Sequence, residues 1–222
     1  MPAVEAVTTL ALAGWGTDGR IFSALAPAFG AFITPDFPPD GGCLELAGII
    51  SSRGAGKVRL IGWSLGALAV AELALARPDL VAEAILVSAR PAYPPSDIET
   101  ARIGIRKNRR GYLASFFSGC FGPDEAGSAR KFRKEILPGY LDGGWDLPAL
   151  ERGLDRLASG RLDPALRQAG NVRFVHGTAD RIAPFAEITG FTAGIPADRL
   201  VFMEGRGHIP FLDPEFSRIL SA

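Results

Sequence analysis

The stretch KVRLIGWSLGALAVAELALARPDL, residues 57–80, joins a strand pattern directly to a helix pattern. Its first seven residues form a short apolar run that is typical of a buried strand. The run from residue 65 onward is rich in Ala and Leu and apolar nearly all round, as in a helix packed against a sheet. Ser64 lies at the junction, between Gly62 and Gly66. This arrangement predicts a sharp turn that presents a serine at the carboxyl end of a strand.

Strand and helix patterns alternate on both sides of this stretch. Further strands are predicted at 7–14, 31–37, 82–89, 171–177 and 198–205, and further helices at 22–29, 43–53, 184–193 and 213–222. Such alternation is typical of an α/β fold with a mostly parallel sheet flanked by helices, because each crossover places a helix on the sheet. The length of 222 residues suits one domain, so we predict a single α/β domain over residues 1–222.

The alternation stops at the proline-rich segment RPAYPPSD, residues 90–97. Residues 97–168 have helix patterns without strands, and the strand pattern resumes after them. We therefore predict a helical cap at 97–168, inserted over one end of the sheet. This insertion is basic: residues 102–134 contain nine Arg and Lys but two acidic residues, although the formal net charge of the chain is zero.

The composition excludes several classes of protein. A hydrophobic content of 47% with 22% charged residues is typical of a soluble globular chain, and the balanced charge favours no nucleic-acid partner. The apolar runs are too short to span a membrane, and no positively charged segment precedes the first of them, as a secretion signal would require. The two cysteines, Cys43 and Cys120, imply no disulfide framework. We therefore expect a cytoplasmic protein without a membrane partner.

A serine nucleophile needs a base, and the chain has two histidines. His208 lies in the glycine-rich loop EGRGHIPFLDP after the last predicted strand, whereas His176 lies within an apolar strand, where a structural role is the better interpretation. Asp180 follows that same strand by a short loop. Ser64, Asp180 and His208 thus each come just after a strand, and the carboxyl ends of parallel strands meet at one edge of the sheet. We predict that they are nucleophile, acid and base.

Other interpretations of these residues remain. Ser64 is also compatible with a tight turn that has no chemistry, and Asp180 with an ordinary turn or helix-capping aspartate. A metal site formed by His176, Asp180 and His208 is disfavoured, because it has no Cys or Glu support and no ligand-spacing motif. We expect neither a metal nor a cofactor.

The loop AGWGTDG, residues 13–19, follows the first predicted strand and supplies a second element of the site. An oxyanion hole combines the N–H of the residue after the nucleophile with an N–H from this loop, so Leu65 and Trp15 are the predicted donors. Trp15 and Trp63 are also predicted to form the walls of an apolar substrate slot. The alternative is that both tryptophans only fill the core.

Five segments together resemble a known family. They are AGWGTDGRIF, LIGWSLGALAVAELALARPDLVAEAILVSARPAY, LERGLDRLASGRLDPALRQ, HGTADRIAP and GHIPFLDP. They resemble α/β-hydrolase-fold esterases and, within them, the pimeloyl-acyl-carrier-protein methyl ester esterases of biotin synthesis. The resemblance extends from about residue 12 to 214 and is least clear between 97 and 140. It implies an α/β-hydrolase fold and a serine carboxylesterase that uses Ser64, Asp180 and His208 on a carrier-bound pimeloyl methyl ester.

The resemblance also implies that the basic cap holds the acidic acyl carrier protein. The candidate carrier contacts are Arg106, Arg109, Arg110, Arg130, Arg133 and Lys134. Phe116 and Phe117, with Phe121 and Tyr112 nearby, are predicted to line a channel for the acyl chain. The alternatives are a solvated basic helix face and aromatic side chains that only pack the cap onto the body.

Two departures from the family stand out. Ala13 occupies a position where the family often has His, and the chain begins directly at the strand before the 13–19 loop. We therefore expect a shortened N-terminus without the antiparallel strands usual at the start of this fold.

Alternative functions are a general short-chain carboxylesterase or thioesterase, a lyase such as the one in menaquinone synthesis, and a non-catalytic hydrolase-fold binding protein. The usual sign of the last, loss of a triad residue, is not seen.

Overall fold

The central element is a sheet of six strands that are all parallel. The computed structural model describes residues 7–28, 31–54 and 56–221. Within them the strands are β1 (Thr9–Leu12), β2 (Phe32–Ile33), β3 (Val58–Trp63), β4 (Val81–Val87), β5 (Val172–Gly177) and β6 (Leu200–Met203). Their order is β2-β1-β3-β4-β5-β6, and every neighbouring pair is parallel. The predicted α/β class with a parallel sheet is confirmed.

The strand order creates a crevice at one point of the sheet. From β1 the chain moves outward to β2, but it then returns to the other side of β1 to form β3 and continues through β4 to β6. The connections after β1 and β3 therefore leave the sheet in opposite directions, and ligands of open α/β sheets bind outside the carboxyl ends of such strands. The 13–19 loop and the turn at Ser64 border this crevice.

Eight α-helices accompany the sheet in the described residues. They are α1 (Cys43–Ser52), α2 (Leu65–Ala76), α3 (Pro95–Gly119), α4 (Ala126–Glu135), α5 (Leu137–Gly143), α6 (Leu147–Ser159), α7 (Phe185–Phe191) and α8 (Pro214–Ser221). Helix α2 is the most buried of the helices beside the sheet, with nine of its twelve residues buried. It contacts β3 and β4 on one side and α1 and α6 on others, which explains why it is apolar nearly all round.

Helices α3 to α6 fill the chain between β4 and β5. Residues 97–168, which we interpret as a cap, all lie in the described part of the chain and contain no strand there. Helix α3 is kinked at Asn108, whose backbone angles (φ −158°, ψ 85°) are not helical. No helix in the described ranges is both long enough and apolar enough to cross a membrane.

Two predicted elements near the start of the chain are wrong in type or length. The range predicted as a helix, 22–29, contains no α-helix in its described residues: the 3-10 turn Gly19–Phe22 ends at its start, a second 3-10 turn covers Ala26–Ala28, and residue 29 lies outside the described residues. Pro27 disfavours an α-helix there, because it cannot donate the helical hydrogen bond. The predicted strand at 31–37 shortens to β2, since Pro35 cannot donate to a β-ladder.

Candidate active site

The backbone of Ser64 is held in an uncommon conformation. Its φ is 54° and its ψ −114°, a region that side-chain-bearing residues rarely adopt. The Ser64 N–H donates to the carbonyl oxygen of Val87 at 3.0 Å, which ties the turn to the end of β4. A Cβ atom at Gly62 would lie 2.7 Å from the Cα of Ala67, so the turn requires glycine there. Strained residues of this kind cluster at active sites, where the surrounding structure holds them in place.

The second glycine of the motif brings the 13–19 loop against the start of α2. A Cβ atom at Gly66 would collide with the carbonyl oxygen of Leu12 and would lie 2.7 Å from that of Ala13. Leu65 is the first residue of α2, so its N–H has no carbonyl oxygen one turn earlier in the helix. Trp15 lines the same cavity as Ser64. The two predicted oxyanion donors therefore lie on segments that are packed together beside Ser64.

The structure brings Ser64, His208 and Asp180 into one hydrogen-bonded chain. The Oγ of Ser64 is 2.9 Å from Nε2 of His208, and Nδ1 of His208 is 2.7 Å from Oδ2 of Asp180. All three residues are buried. An ionised carboxylate only accepts hydrogen bonds, so Nδ1 carries the proton of neutral His208 and Nε2 is free to accept the Ser64 proton.

The carboxylate of Asp180 is stabilised in its ionised form. Its Oδ1 accepts the backbone N–H groups of Ile182 at 2.8 Å and Ala183 at 2.9 Å. Burial by itself raises the pKa of Asp180, but the adjacent His208 and His176 and these hydrogen bonds outweigh it, so the pKa lies below its usual range. An ionised Asp180 can orient the imidazole of His208 and stabilise its protonated form.

The loop that carries His208 is held by the insertion. The His208 N–H donates to the carbonyl oxygen of Cys120 at 2.6 Å. One carboxylate oxygen of the buried Glu125 accepts the N–H groups of both Gly122, at 2.6 Å, and Gly207, at 2.7 Å. The sequence alone does not reveal this link, because GPDE at 122–125 is by itself only the signature of a helix N-terminus.

His176 does not reach Ser64. Its ring is 1% exposed, and its Nε2 lies 2.7 Å from the carbonyl oxygen of Ala183 and 3.4 Å from Oδ2 of Asp180. The histidine therefore packs behind the Asp180 loop. Residues 7–28, 31–54 and 56–221 contain no group of three or more His, Cys, Asp or Glu side chains that could hold a metal ion.

A cavity of about 320 Å³ lies above Ser64, between the sheet edge and the insertion. Its aromatic walls come from Trp15, Tyr93, Tyr112 and Phe116, and its aliphatic walls include Ile98, Leu154 and Leu157. The rings of Trp15 and Phe116 meet edge to face at 5.2 Å. The side chains of Arg90, Asp97, Thr100 and Arg181 add polar groups to the lining. A cavity whose surface is mostly apolar but which also presents several polar groups suits a small organic substrate.

Trp63 and Phe117, which we predicted to line the substrate slot, lie elsewhere. Trp63 is 1% exposed and donates its Nε1–H to the carbonyl oxygen of His208 at 2.7 Å, so it supports the His208 loop from below. Phe117 is fully buried and packs between Phe132 and Tyr140 within the insertion. Consecutive residues of a helix point about 100° apart, so Phe117 faces away from the cavity that its neighbour Phe116 lines.

The predicted carrier contacts fall into three groups. Arg106 and Arg110 are exposed but form ion pairs with Glu151 and Asp142. Arg109 is a correction to the prediction, because its guanidinium is half-buried and donates at 2.7 Å to the carbonyl oxygens of Leu141 and Trp145, which ties α3 to the segment around α5. The remaining three, Arg130, Arg133 and Lys134, are exposed on α4 and form no ion pair with any described residue.

The sequence of this chain matches a family of known proteins. Residues 7–216 match the model of the alpha/beta hydrolase family. The pimeloyl-acyl-carrier-protein methyl ester esterase of Aromatoleum aromaticum is 26% identical over 236 residues, which cover 94% of each chain. The enzyme of the same name from Nitrosomonas europaea is 28% identical over 184 residues, covering 76% of this chain and 71% of the relative.

A solved structure has the same fold. The esterase from Exiguobacterium antarcticum superposes with a TM-score of 0.82 at 17% sequence identity, over 97% of this chain and 90% of that chain. At this identity the likeness concerns the fold alone. The family model, in contrast, spans nearly all of the described residues. This chain belongs to the alpha/beta hydrolase family.

Proposed function

We propose that this protein is a serine carboxylesterase that hydrolyses the methyl ester of a pimeloyl group carried on acyl carrier protein. The chain is a carboxylic ester hydrolase of the alpha/beta hydrolase family. The observation that carries the proposal is the hydrogen-bonded chain from Ser64 through His208 to Asp180 at the floor of the cavity. This is the arrangement that acyl transfer by an activated serine requires.

The reaction proceeds in two steps. Nε2 of His208 accepts the Ser64 proton as Oγ attacks the ester carbonyl, and the backbone N–H groups of Leu65 and Trp15 bind the oxyanion. His208 then donates its proton to the methanol oxygen as the carbon–oxygen bond breaks. A water molecule attacks the acyl-enzyme, again with His208 as base, and releases the free acid.

The largely apolar walls of the cavity support an acyl chain as the bound group. The names of the relatives from Aromatoleum aromaticum and Nitrosomonas europaea support pimeloyl as that chain. The cations of α4, which are exposed and form no ion pair within the described part of the chain, support an acidic carrier, because opposite charges on two proteins accelerate their encounter and fix its register. The cytoplasmic location remains a prediction from the sequence.

The nucleophile is tested by comparing Ser64→Ala with Ser88→Ala. Ser88 is a matched control, because it too is buried, follows a central strand and has a positive φ, of 49°. We expect Ser64→Ala to lower kcat for a short-chain p-nitrophenyl ester by about 10⁴- to 10⁶-fold and to abolish labelling by a fluorophosphonate. Ser88→Ala should retain both. Labelling or hydrolysis that persists in Ser64→Ala contradicts the proposal.

A further inference from the structure

We propose that the hydroxyl of Tyr93 is an additional catalytic group, which donates a hydrogen bond to the departing alcohol oxygen during acylation. The inference rests on the proposed esterase function and adds a group that the sequence reasoning did not identify. Two observations support it: Tyr93 contacts Ser64, and Tyr93 and the predicted oxyanion donor Trp15 follow strands on opposite sides of β3.

Tyr93 contacts the nucleophile directly. Its Oη is 3.4 Å from Oγ of Ser64, and its side chain, 8% exposed, lines the cavity above that serine. Ser64 uses its own proton in the hydrogen bond to His208, so the Tyr93 hydroxyl is the donor in this contact. Burial raises the pKa of Tyr93 to about 12, so the hydroxyl retains this proton at neutral pH.

The segments that carry Tyr93 and the predicted oxyanion donor Trp15 follow strands on opposite sides of β3. Trp15 follows β1 and Tyr93 follows β4. The tetrahedral carbon carries three oxygens: Oγ of Ser64, the oxyanion on the Trp15 side, and the oxygen that leaves or attacks. The Tyr93 hydroxyl is placed to reach the third. It keeps its proton throughout, since His208 supplies the proton that the alcohol takes as its bond to carbon breaks.

The segment that carries Tyr93 is anchored on both sides. Its neighbour Ala92 forms an isolated bridge with Arg161, and Leu162 donates its N–H to the carbonyl oxygen of Pro91 at 3.0 Å. The guanidinium of Arg90 lies 5.3 Å from the centre of the Tyr93 ring. Arg90 is itself fixed by ion pairs of 2.7 Å to Asp97 and Glu187. A donor held in this way stabilises developing charge without reorganising.

The test compares two esters of one short acid in the variant Tyr93→Phe, which removes the hydroxyl and keeps the ring. Methoxide is a basic leaving group that gains from a donor, whereas p-nitrophenolate leaves without help. We expect kcat/KM to fall by about 10- to 100-fold for the methyl ester, and by less than about threefold for the p-nitrophenyl ester. A loss of packing alone would lower both values by the same factor.

Tyr140→Phe is the matched control. Tyr140 is also buried, and its Oη is also 3.4 Å from its acceptor, the carbonyl oxygen of Asp18, but it lies outside the cavity. Both esters should be hydrolysed by this variant as by the wild type. If Tyr93→Phe lowers kcat/KM equally for both esters, or for neither, the role of Tyr93 is overturned but the proposed esterase function is not. A wild-type protein that hydrolyses neither ester overturns the proposed function and this inference with it.

Discussion

The two histidines have different roles because their hydrogen-bond partners differ, although both are buried. His208 lies between a hydroxyl and a carboxylate, with both ring nitrogens in hydrogen bonds. His176 is buried beside the same Asp180, but its Nδ1 has no hydrogen-bond partner among the described residues. Burial lowers the pKa of His176 below its ordinary value of 6.5, although Asp180 partly opposes this. A neutral His176 is therefore part of the folded state.

We predict that His176 makes the protein less stable in mild acid. The unfolded chain protonates this histidine below about pH 6.5 and the folded chain does not, so the unfolded state binds more protons there. The free energy of unfolding then falls as the pH is lowered, with a slope of at most about 1.4 kcal/mol per pH unit from this group.

The variant His176→Gln removes the titrating group and keeps a side-chain donor for the Ala183 carbonyl oxygen. Its free energy of unfolding, measured by urea denaturation from about pH 7 to about pH 5, should depend less on pH than that of the wild type. Contributions from carboxylates that do not contact residue 176 are common to both proteins and cancel in the comparison. Parallel pH profiles would contradict the prediction.

At the scale of elements, the contact between α2 and the loop after β1 decides whether the site forms. We expect Gly66→Ala to lower the free energy of unfolding by about 1–3 kcal/mol, because its Cβ meets backbone oxygens of Leu12 and Ala13 that cannot move aside. The same displacement shifts Trp15 relative to Leu65, so ester hydrolysis should fall by about 10-fold or more.

Gly48→Ala is the control for Gly66→Ala. Gly48 lies inside α1, and a Cβ atom there would have no neighbour within 4 Å among the residues that the structure describes. Alanine should therefore stabilise the helix by about 0.5–1 kcal/mol and leave hydrolysis unchanged. Urea denaturation and the rate on a p-nitrophenyl ester check both variants. A Gly66→Ala protein as stable and active as the wild type would show that the loop approach is not required.

Elements with an unbroken pattern could be predicted from the sequence, and those interrupted by proline could not. The junction of β3 and α2 follows the expected pattern, because the local period and the packing against the sheet agree. The regions 22–29 and 31–37 are also rich in apolar residues. Pro27 and Pro35, however, cannot donate the backbone hydrogen bonds that a helix or a strand would need there. In both regions the apolar composition predicted a regular element, but a single proline prevented it from forming at the predicted length.

At the scale of the whole molecule, the distribution of charge distinguishes the proposed carrier site from the rest of the basic insertion. Arg106 and Arg110 are neutralised by carboxylates, whereas Arg130 and Arg133 face solvent on α4. Helix α4 directly follows the segment 120–125 that holds the His208 loop. A carrier docked on α4 would therefore lie beside the segment that supports the catalytic base.

We predict that reversing Arg130 and Arg133 to Glu lowers kcat/KM for a carrier-bound methyl ester by about 10-fold at low salt, and by less as salt screens the charges. The free methyl ester should be hydrolysed as by the wild type. This comparison also separates the carrier-specific enzyme from a general short-chain carboxylesterase or thioesterase, which would not distinguish the two substrates.

The control makes the same change in charge at the opposite edge of the sheet. Arg53 and Lys57 are exposed just before β3 begins, far from the carboxyl ends of the strands. Their reversal to Glu should leave both substrates within about twofold of the wild-type rate, because effects of exposed charges beyond a Debye length are screened. Equal losses in the two double variants would indicate an effect of net charge rather than a docking site on α4.

The sequence by itself determined the parallel α/β sheet, the turn at Ser64 and the convergence of Asp180 and His208 on it. Each of these depends on a local pattern, and parallel strands necessarily bring their carboxyl ends to one edge. Only the tertiary structure decided which side chains reach the cavity and which cations form ion pairs with other described residues. Tyr93 and Ser64 are 29 residues apart, and Glu125 and Gly207 are 82 apart. Contacts of that range depend on side-chain direction and on how the insertion packs, and no local pattern in the chain encodes either.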